Sequence, residues 1–227
     1  MQLTEDEEIA IAVLIIAAAL GVFIIFKPKK TAIMTAGSNA FKQALVQNAL
    51  AELNAWDYGV IKEGDPKTMD RIRAYWKEGA GVKNWDDQKM VSEAWSAALI
   101  SYLMKKSGAG NDFKYSPSHS VYLREAIKNR KENNANPFKG YKPEEMPIAV
   151  GDLVGRPRQT GVTYDTTSPY LSHSDMVIGI KDGFADTVGG NVSNSVKITK
   201  VPLTADGKID NSKVHGEKYF VVVKNNK

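Results

Sequence analysis

The segment SHSDMVIGIKDGFADTVGGN, residues 172–191, contains the clearest strand and turn signals of the sequence. Its residue pattern predicts two strands, Asp175–Ile180 and Phe184–Val188. Asp182-Gly183 lies between them, and an Asp-Gly pair favours a two-residue hairpin turn because both turn positions need a positive φ. The stretch therefore predicts an antiparallel hairpin.

The sequence on either side of this hairpin separates helices from strands. Three further strands are predicted, over Ala149–Arg156, Ser195–Pro202 and Lys218–Val223. All the predicted helices come earlier, and a polar, proline-containing connection over Asn133–Pro147 precedes the strands. The order of elements predicts an α+β fold, with helices first and then an antiparallel sheet. Apolar residues at helical spacing place the helices over Thr31–Trp56, Thr68–Lys77, Met90–Lys106 and His119–Lys131.

An uninterrupted apolar run, IAIAVLIIAAALGVFIIF, occupies Ile9–Phe26. A helix of 18 residues spans roughly 27 Å, close to the hydrocarbon core of a bilayer. We therefore expect an N-terminal transmembrane helix. The chain is therefore predicted to have three parts: a membrane anchor over residues 1–30, a helical spacer over residues 31–56, and the α+β domain over residues 57–227.

The flanks of the run indicate an uncleaved anchor. Four acidic residues, Glu5–Glu8, precede it, whereas a cleavable signal peptide begins with basic residues. The expected location is a single-pass position in a virion membrane or a bacterial inner membrane. Ile9–Phe26 would contact the lipid bilayer, and other virion or membrane proteins are further candidate partners.

Composition excludes several classes of chemistry. The 227 residues include no cysteine, so a disulfide, a thiolate zinc site and a cysteine nucleophile are all ruled out. The net charge is +4, but the basic residues are scattered among acidic ones rather than clustered. We therefore expect no nucleic-acid partner.

Four short motifs stand out. Ala94-Trp95-Ser96-Ala97-Ala98 lies near the start of a predicted helix, and Val150-Gly151-Asp152-Leu153-Val154 begins the predicted sheet. Ser172-His173-Ser174-Asp175 leads into a strand, and Gly189-Gly190-Asn191 ends the next strand. This order, with a hydroxyl near a helix N-terminus and then a histidine at the head of a strand, resembles the order of the catalytic residues in papain-like folds.

These motifs resemble those of papain-like cell-wall hydrolases of the CHAP and NlpC types. They are more similar still to an uncharacterised family of bacterial and phage proteins with W-S-A-A, S-H-x-D and G-G-N motifs. The resemblance extends over roughly residues 45–223 and implies a papain-like domain. It places Ser96 at the nucleophile, His173 at the general base and Asn191 at the residue that orients the imidazole.

Other residues near these motifs are candidates for further roles. Asp175 is two residues from His173, so both should lie on one strand face, and Glu93 is near Ser96 on the helix surface. Either carboxylate could act as an acid or base. His119 and Trp95 are candidate substrate-binding residues. We expect no cofactor and no metal ion.

Two functions remain open from the sequence. The first is a membrane-anchored, virion- or phage-associated peptidoglycan hydrolase, an amidase or endopeptidase that cuts an amide bond of the cell wall. The second is a catalytically degenerate, membrane-anchored structural or wall-binding virion component. The second alternative arises because serine replaces the family's cysteine, and a serine hydroxyl is far less acidic than a thiol.

Overall fold

A computed structural model describes residues 40–227, which contain five α-helices and six β-strands. The helices come first and the strands second, which confirms the predicted α+β class. The helices are α1 (Ala40–Ala55), α2 (Pro66–Ala74), α3 (Asp87–Ser92), α4 (Ser96–Lys106) and α5 (His119–Lys131). The strands are β1 (Phe138–Tyr141), β2 (Leu153–Pro157), β3 (Ser172–Lys181), β4 (Phe184–Gly189), β5 (Lys197–Pro202) and β6 (Val221–Asn225).

The strands form one antiparallel sheet in the order β1-β6-β2-β3-β4-β5. Asp182 and Gly183 connect β3 to β4 with φ of 54° and 76°, as the hairpin prediction requires. Strand β1 was not predicted from the sequence, because it lies within the segment predicted as a polar connection. Its four residues pair with β6 at the edge of the sheet, a long-range contact that local sequence does not encode.

Apolar side chains cover both faces of the sheet. On the helical side, Met176 and Val188 join the large core that also contains the buried face of α4. On the other side, Val177 and Val222 belong to a second, smaller cluster. Helix α1 is part of the large core, since Leu45, Ala49 and Leu53 have no exposed surface.

The break between α3 and α4 is the main difference from the predicted helices. The apolar spacing predicted one helix over Met90–Lys106, but the chain leaves the helical conformation at Glu93, where φ is −100° and ψ is 153°. The Trp95 ring then stacks on Trp56 with centroids 4.9 Å apart. Because of this break, Ser96 is the first residue of α4 rather than an internal one.

The predicted transmembrane helix and single-pass membrane location are corrected here. Among residues 40–227, no helix is long and apolar enough to cross a membrane. The longest of these helices, α1, has 16 residues and includes Asn48 and Glu52, whereas a spanning helix needs about 20 mostly apolar residues. The apolar run Ile9–Phe26, on which the prediction depended, lies outside the described residues.

Candidate functional site

Ser96 begins helix α4 at a point where the helix has no side-chain cap. Trp95 occupies the N-cap position and makes no capping hydrogen bond through its side chain. The N–H groups of the first turn have no partner inside a helix, and the helix dipole adds partial positive charge at that end. The Ser96 hydroxyl therefore lies where negative charge on an oxygen would be stabilised.

Ser96 is hydrogen-bonded to a histidine of another helix. Its Oγ atom lies 2.6 Å from Nε2 of His119, the first residue of α5. Ser96 is 6% exposed and His119 is 5% exposed, so the pair is almost enclosed. The sequence suggested His119 as a substrate-binding residue, and the structure places it directly on the candidate nucleophile.

The second nitrogen of His119 contacts two hydroxyl groups. Nδ1 lies 2.9 Å from Ser174 Oγ and is also hydrogen-bonded to the Tyr122 hydroxyl. The two hydroxyl oxygens are in turn 3.0 Å apart. Sequence reasoning missed both partners. Tyr122 follows His119 by three residues, so it lies on the same face of α5, and that spacing was the available signal.

Burial keeps this cluster uncharged. It lowers the pKa of His119 well below its ordinary value, and electrostatic interactions with His173 and Arg158 act in the same direction. Burial also raises the pKa of Tyr122, against the opposing hydrogen bond from Ser174. His119 is therefore neutral and Tyr122 keeps its proton near pH 7.

His173 forms a separate pair with a buried carboxylate. Its Nε2 atom lies 2.7 Å from Oδ1 of Asp175, and the two residues are 3% and 1% exposed. Burial raises the pKa of Asp175, but the interaction with His173 and the positive charges of Arg156 and Arg158 outweigh that effect, so the net shift is downward. Asp175 is therefore an anion that holds the His173 ring.

The two histidines lie side by side. Their ring centroids are 5.1 Å apart, and the ring planes are inclined by 54°. The remaining nitrogen of His173, Nδ1, makes no hydrogen bond within residues 40–227, and it is not fully enclosed. One imidazole thus contacts Ser96, while its neighbour presents an open nitrogen.

The Gly189-Gly190-Asn191 segment packs against Asp175 and against helix α4. A Cβ atom at Gly189 would lie 1.8 Å from Asp175 Oδ1, and one at Gly190 would lie 2.7 Å from Leu99 of α4. Only glycine lets the end of β4 approach so closely. Asn191 follows with a φ of 53° and makes no side-chain hydrogen bond to the described residues. The residue that holds His173 is thus Asp175, not Asn191.

The side chains of Glu93 and Trp95 make no hydrogen bond to Ser96, His119 or His173. Glu93 is half-exposed and pairs with Lys89 in the break before α4. Trp95 is fully buried, and its Nε1 atom donates a 2.6 Å hydrogen bond to Glu63 Oε2. In this structure, Trp95 supports the start of α4 from inside the core.

Buried polar atoms that lack a partner concentrate around His173. Within residues 40–227 there are four such side-chain atoms, and all belong to β2, β3 or the residues just before β3. Arg156 is the strand partner of His173, and Pro157 is the partner of Ser172. Of the four residues that contain these atoms, only Asp175 was identified from the sequence. The four atoms are Arg156 Nε, Tyr170 OH, Ser172 Oγ and Asp175 Oδ2.

Two surface pockets lie outside the Ser96–His119 cluster. One has a volume of about 390 Å³ and is lined by residues that include Pro157, Tyr164 and Phe220. The other has a volume of about 500 Å³ and lies along α5, next to Arg124 and Lys131. Neither is lined by Ser96, His119 or His173.

Comparison with known proteins identifies one family. A family model described as an uncharacterized protein conserved in bacteria (DUF2272) matches residues 60–224. No curated protein and no solved structure matches the chain. The matched segment contains Ser96, His119, His173 and Asp175.

Proposed function

The chain belongs to this bacterial family, and from that premise we propose that it is a hydrolase of amide bonds in peptidoglycan. The observation that carries the proposal is the hydroxyl of Ser96, at the first residue of α4 and 2.6 Å from one imidazole. A second imidazole, held by a buried carboxylate, lies beside the first. A nucleophile, a base and a group that orients the base are the parts that acyl transfer needs.

Ser96 is the nucleophile in this proposal and His173 is the base. Asp175 Oδ1 accepts a hydrogen bond from the Nε2–H group of His173, which leaves the lone pair of Nδ1 free to take a proton. During attack, the Ser96 proton moves to Nδ1, Oγ bonds to the carbonyl carbon, and the carbonyl π electrons move to its oxygen. The N–H groups at the start of α4 would stabilise that oxyanion.

The second half of the reaction reverses these proton transfers. The C–N bond breaks as His173 delivers its proton to the leaving nitrogen, and an acyl-Ser96 ester remains. Water then gives a proton to His173 and attacks the ester, and Ser96 is released with its hydrogen restored. The reaction consumes one water and needs no cofactor.

The choice of peptidoglycan as substrate has a separate basis. It depends on the resemblance of the Ser96, His173 and Gly189-Gly190-Asn191 segments to papain-like cell-wall hydrolases. The reaction class depends on the site itself. The two parts of the proposal can therefore fail independently.

Incubation of purified peptidoglycan with the full-length chain tests this function. We expect new free amino groups to appear with the native protein and none with Ser96→Ala or His173→Gln. Asn191→Ala removes a side chain that makes no hydrogen bond to either histidine, so this variant should keep most of the activity. An absence of new amino groups, with the protein folded, would refute the proposal.

A wall-binding role without catalysis is the second candidate. The observation in its favour is burial, since Ser96, His119 and His173 are 6%, 5% and 3% exposed. A buried, hydrogen-bonded network of this kind also stabilises cores that have no catalytic role. Co-sedimentation with insoluble peptidoglycan distinguishes the two functions: binding by the native chain without release of amino groups would favour the second.

A further inference from the structure

We propose that His119 is a catalytic residue that donates a hydrogen bond to Ser96, and that it does not act as the base. This inference rests on the proposed function, because it assigns a role at the same nucleophile. It follows from a count of protons among four groups: Ser96, His119, Tyr122 and Ser174. The contacts among them are those from Ser96 to Nε2, from Nδ1 to each hydroxyl, and between the two hydroxyls.

Only two arrangements of the protons are compatible with a neutral imidazole. In the first, the ring proton is on Nε2 and points to Ser96 Oγ. Nδ1 then accepts a hydrogen bond from one of the two hydroxyls, and that hydroxyl accepts a hydrogen bond from the other. Every proton of Tyr122 and Ser174 is used, and the unpaired proton is that of Ser96.

In the second arrangement, the ring proton is on Nδ1 and Ser96 donates to Nε2. Nδ1 then donates to Tyr122 or Ser174, and only one of these two hydroxyls can donate to the other. One hydroxyl proton is left without an acceptor. Tyr122 is 2% exposed and Ser174 is 1% exposed, so that proton would be enclosed by the core.

The cost of an enclosed, unpaired donor decides between the two arrangements. A buried donor without a partner loses its hydrogen bonds to water and gains none in return, so it destabilises the arrangement that contains it. The first arrangement lowers this cost because its free proton belongs to Ser96, which at 6% is the most exposed of the three hydroxyl residues. His119 is therefore held with its proton on Nε2, directed at the nucleophile.

With this assignment the two histidines have different roles: His119 donates a hydrogen bond to Ser96, and His173 is the base. A donor on Oγ stabilises negative charge on that oxygen, both when Ser96 loses its proton and when the acyl ester breaks. The Ser96 proton has no acceptor among these four groups in the resting state, and in the proposed function it moves to His173 during attack. His119 cannot take that proton while its Nε2 already carries one.

The tautomer can be measured directly by ¹⁵N NMR of the full-length chain labelled at histidine. The chain has three histidines, so His119→Gln identifies the resonances of His119. At pH 7.5 we expect a protonated Nε2 and an unprotonated Nδ1. In the double variant Tyr122→Phe/Ser174→Ala, the Nδ1-protonated form should increase. A native spectrum with the proton on Nδ1 would overturn the assignment.

Activity provides the second test. His119→Ala should reduce kcat by about 10²-fold, as is typical when one donor to a reacting oxygen is lost. His119→Gln should recover part of that loss, because its amide can donate to Ser96 but cannot act as a base. The acidic limb of the kcat/KM pH profile should be unchanged in His119→Gln. If His119→Gln is as inactive as His119→Ala, the proposal that His119 acts as a hydrogen-bond donor is wrong.

The two tests separate this inference from the proposed function. The NMR measurement needs no substrate, so it tests the state of His119 even if peptidoglycan is not hydrolysed. Release of amino groups by the native chain, and its loss in Ser96→Ala, tests the function alone.

Discussion

At the scale of single residues, the site depends on contacts that leave no room for change. Gly189 is the clearest case, because its Cα lies against the Asp175 carboxylate that holds His173. The sequence motif drew attention to Asn191, but in the structure the neighbouring glycine has the closer contact. Its importance is steric, which a one-dimensional motif does not reveal.

Gly189→Ala should therefore break the His173–Asp175 pair. The new Cβ would lie 1.8 Å from Oδ1, so strand β4 or the carboxylate must move, at a typical cost of 1–3 kcal/mol. Gly179→Ala is the matched control, since a Cβ there meets nothing within 4 Å. Urea denaturation should show a lower free energy of unfolding for Gly189→Ala and no change for Gly179→Ala. Equal effects of both variants would contradict this view of β4.

The buried imidazole of His119 makes stability depend on pH. Its pKa is well below 6.5 in the folded chain, while in the unfolded chain it is near 6.5. Below about pH 6.5 the unfolded chain therefore binds more protons, and the free energy of unfolding decreases by up to about 1.4 kcal/mol per pH unit. Above that pH the contribution is fully present.

Urea denaturation between pH 5 and pH 7.5 measures this dependence. His119→Gln removes the titrating group and should give a smaller loss of stability at pH 5 than the native chain shows. His215→Gln is the control, because His215 is exposed and should change nothing. A native pH dependence that persists in His119→Gln would assign the effect to another group.

At the scale of elements, the helices and the central hairpin could be predicted because their signals are local. Helix α5 begins and ends where the sequence predicted, and the β3–β4 turn follows from Asp182-Gly183. The break before α4 could not be predicted, because the apolar spacing continues through it. Tertiary contacts of Trp95 with Trp56 and Glu63 produce the break.

The Trp95–Glu63 hydrogen bond should therefore stabilise the start of α4. Trp95→Phe keeps an aromatic ring but removes the N–H donor, and Glu63→Gln keeps an acceptor but removes the carboxylate. Each should therefore cost about 1–3 kcal/mol, through the loss or the weakening of this hydrogen bond. Thermal denaturation of the single and double variants gives the coupling. The double variant should lose less than the sum of the two, and simple additivity would argue against direct coupling.

At the scale of the whole molecule, the candidate site lies where three parts of the chain meet. Ser96 comes from α4, His119 from α5, and His173 and Asp175 from β3. The sequence identified all four residues, but it gave His119 a substrate-binding role and did not predict its hydrogen bond with Ser96. Which side chains touch depends on how α4 and α5 pack on the sheet, and that packing is not a local property.

The same packing makes α1 part of the folded domain. The sequence separated residues 31–56 as a spacer, yet Leu53 of α1 has no exposed surface and belongs to the core that contains α4 and β3 residues. Glu52 of α1 also accepts a hydrogen bond from Arg71 at 2.9 Å. A helix with these contacts should unfold together with the sheet.

Leu53→Ala in the full-length chain tests this coupling. Loss of a buried leucine side chain costs about 2–5 kcal/mol, and we expect the whole of residues 40–227 to lose that stability in one transition. Gln47→Ala, on the exposed side of α1, should stay within about 0.5 kcal/mol of the native value. Hydrogen exchange resolves the response by element: amides of β3 and β4 should lose protection together with those of α1. If protection fell in α1 alone, the helix would be an independent spacer, and the His173–Asp175 pair would not depend on it.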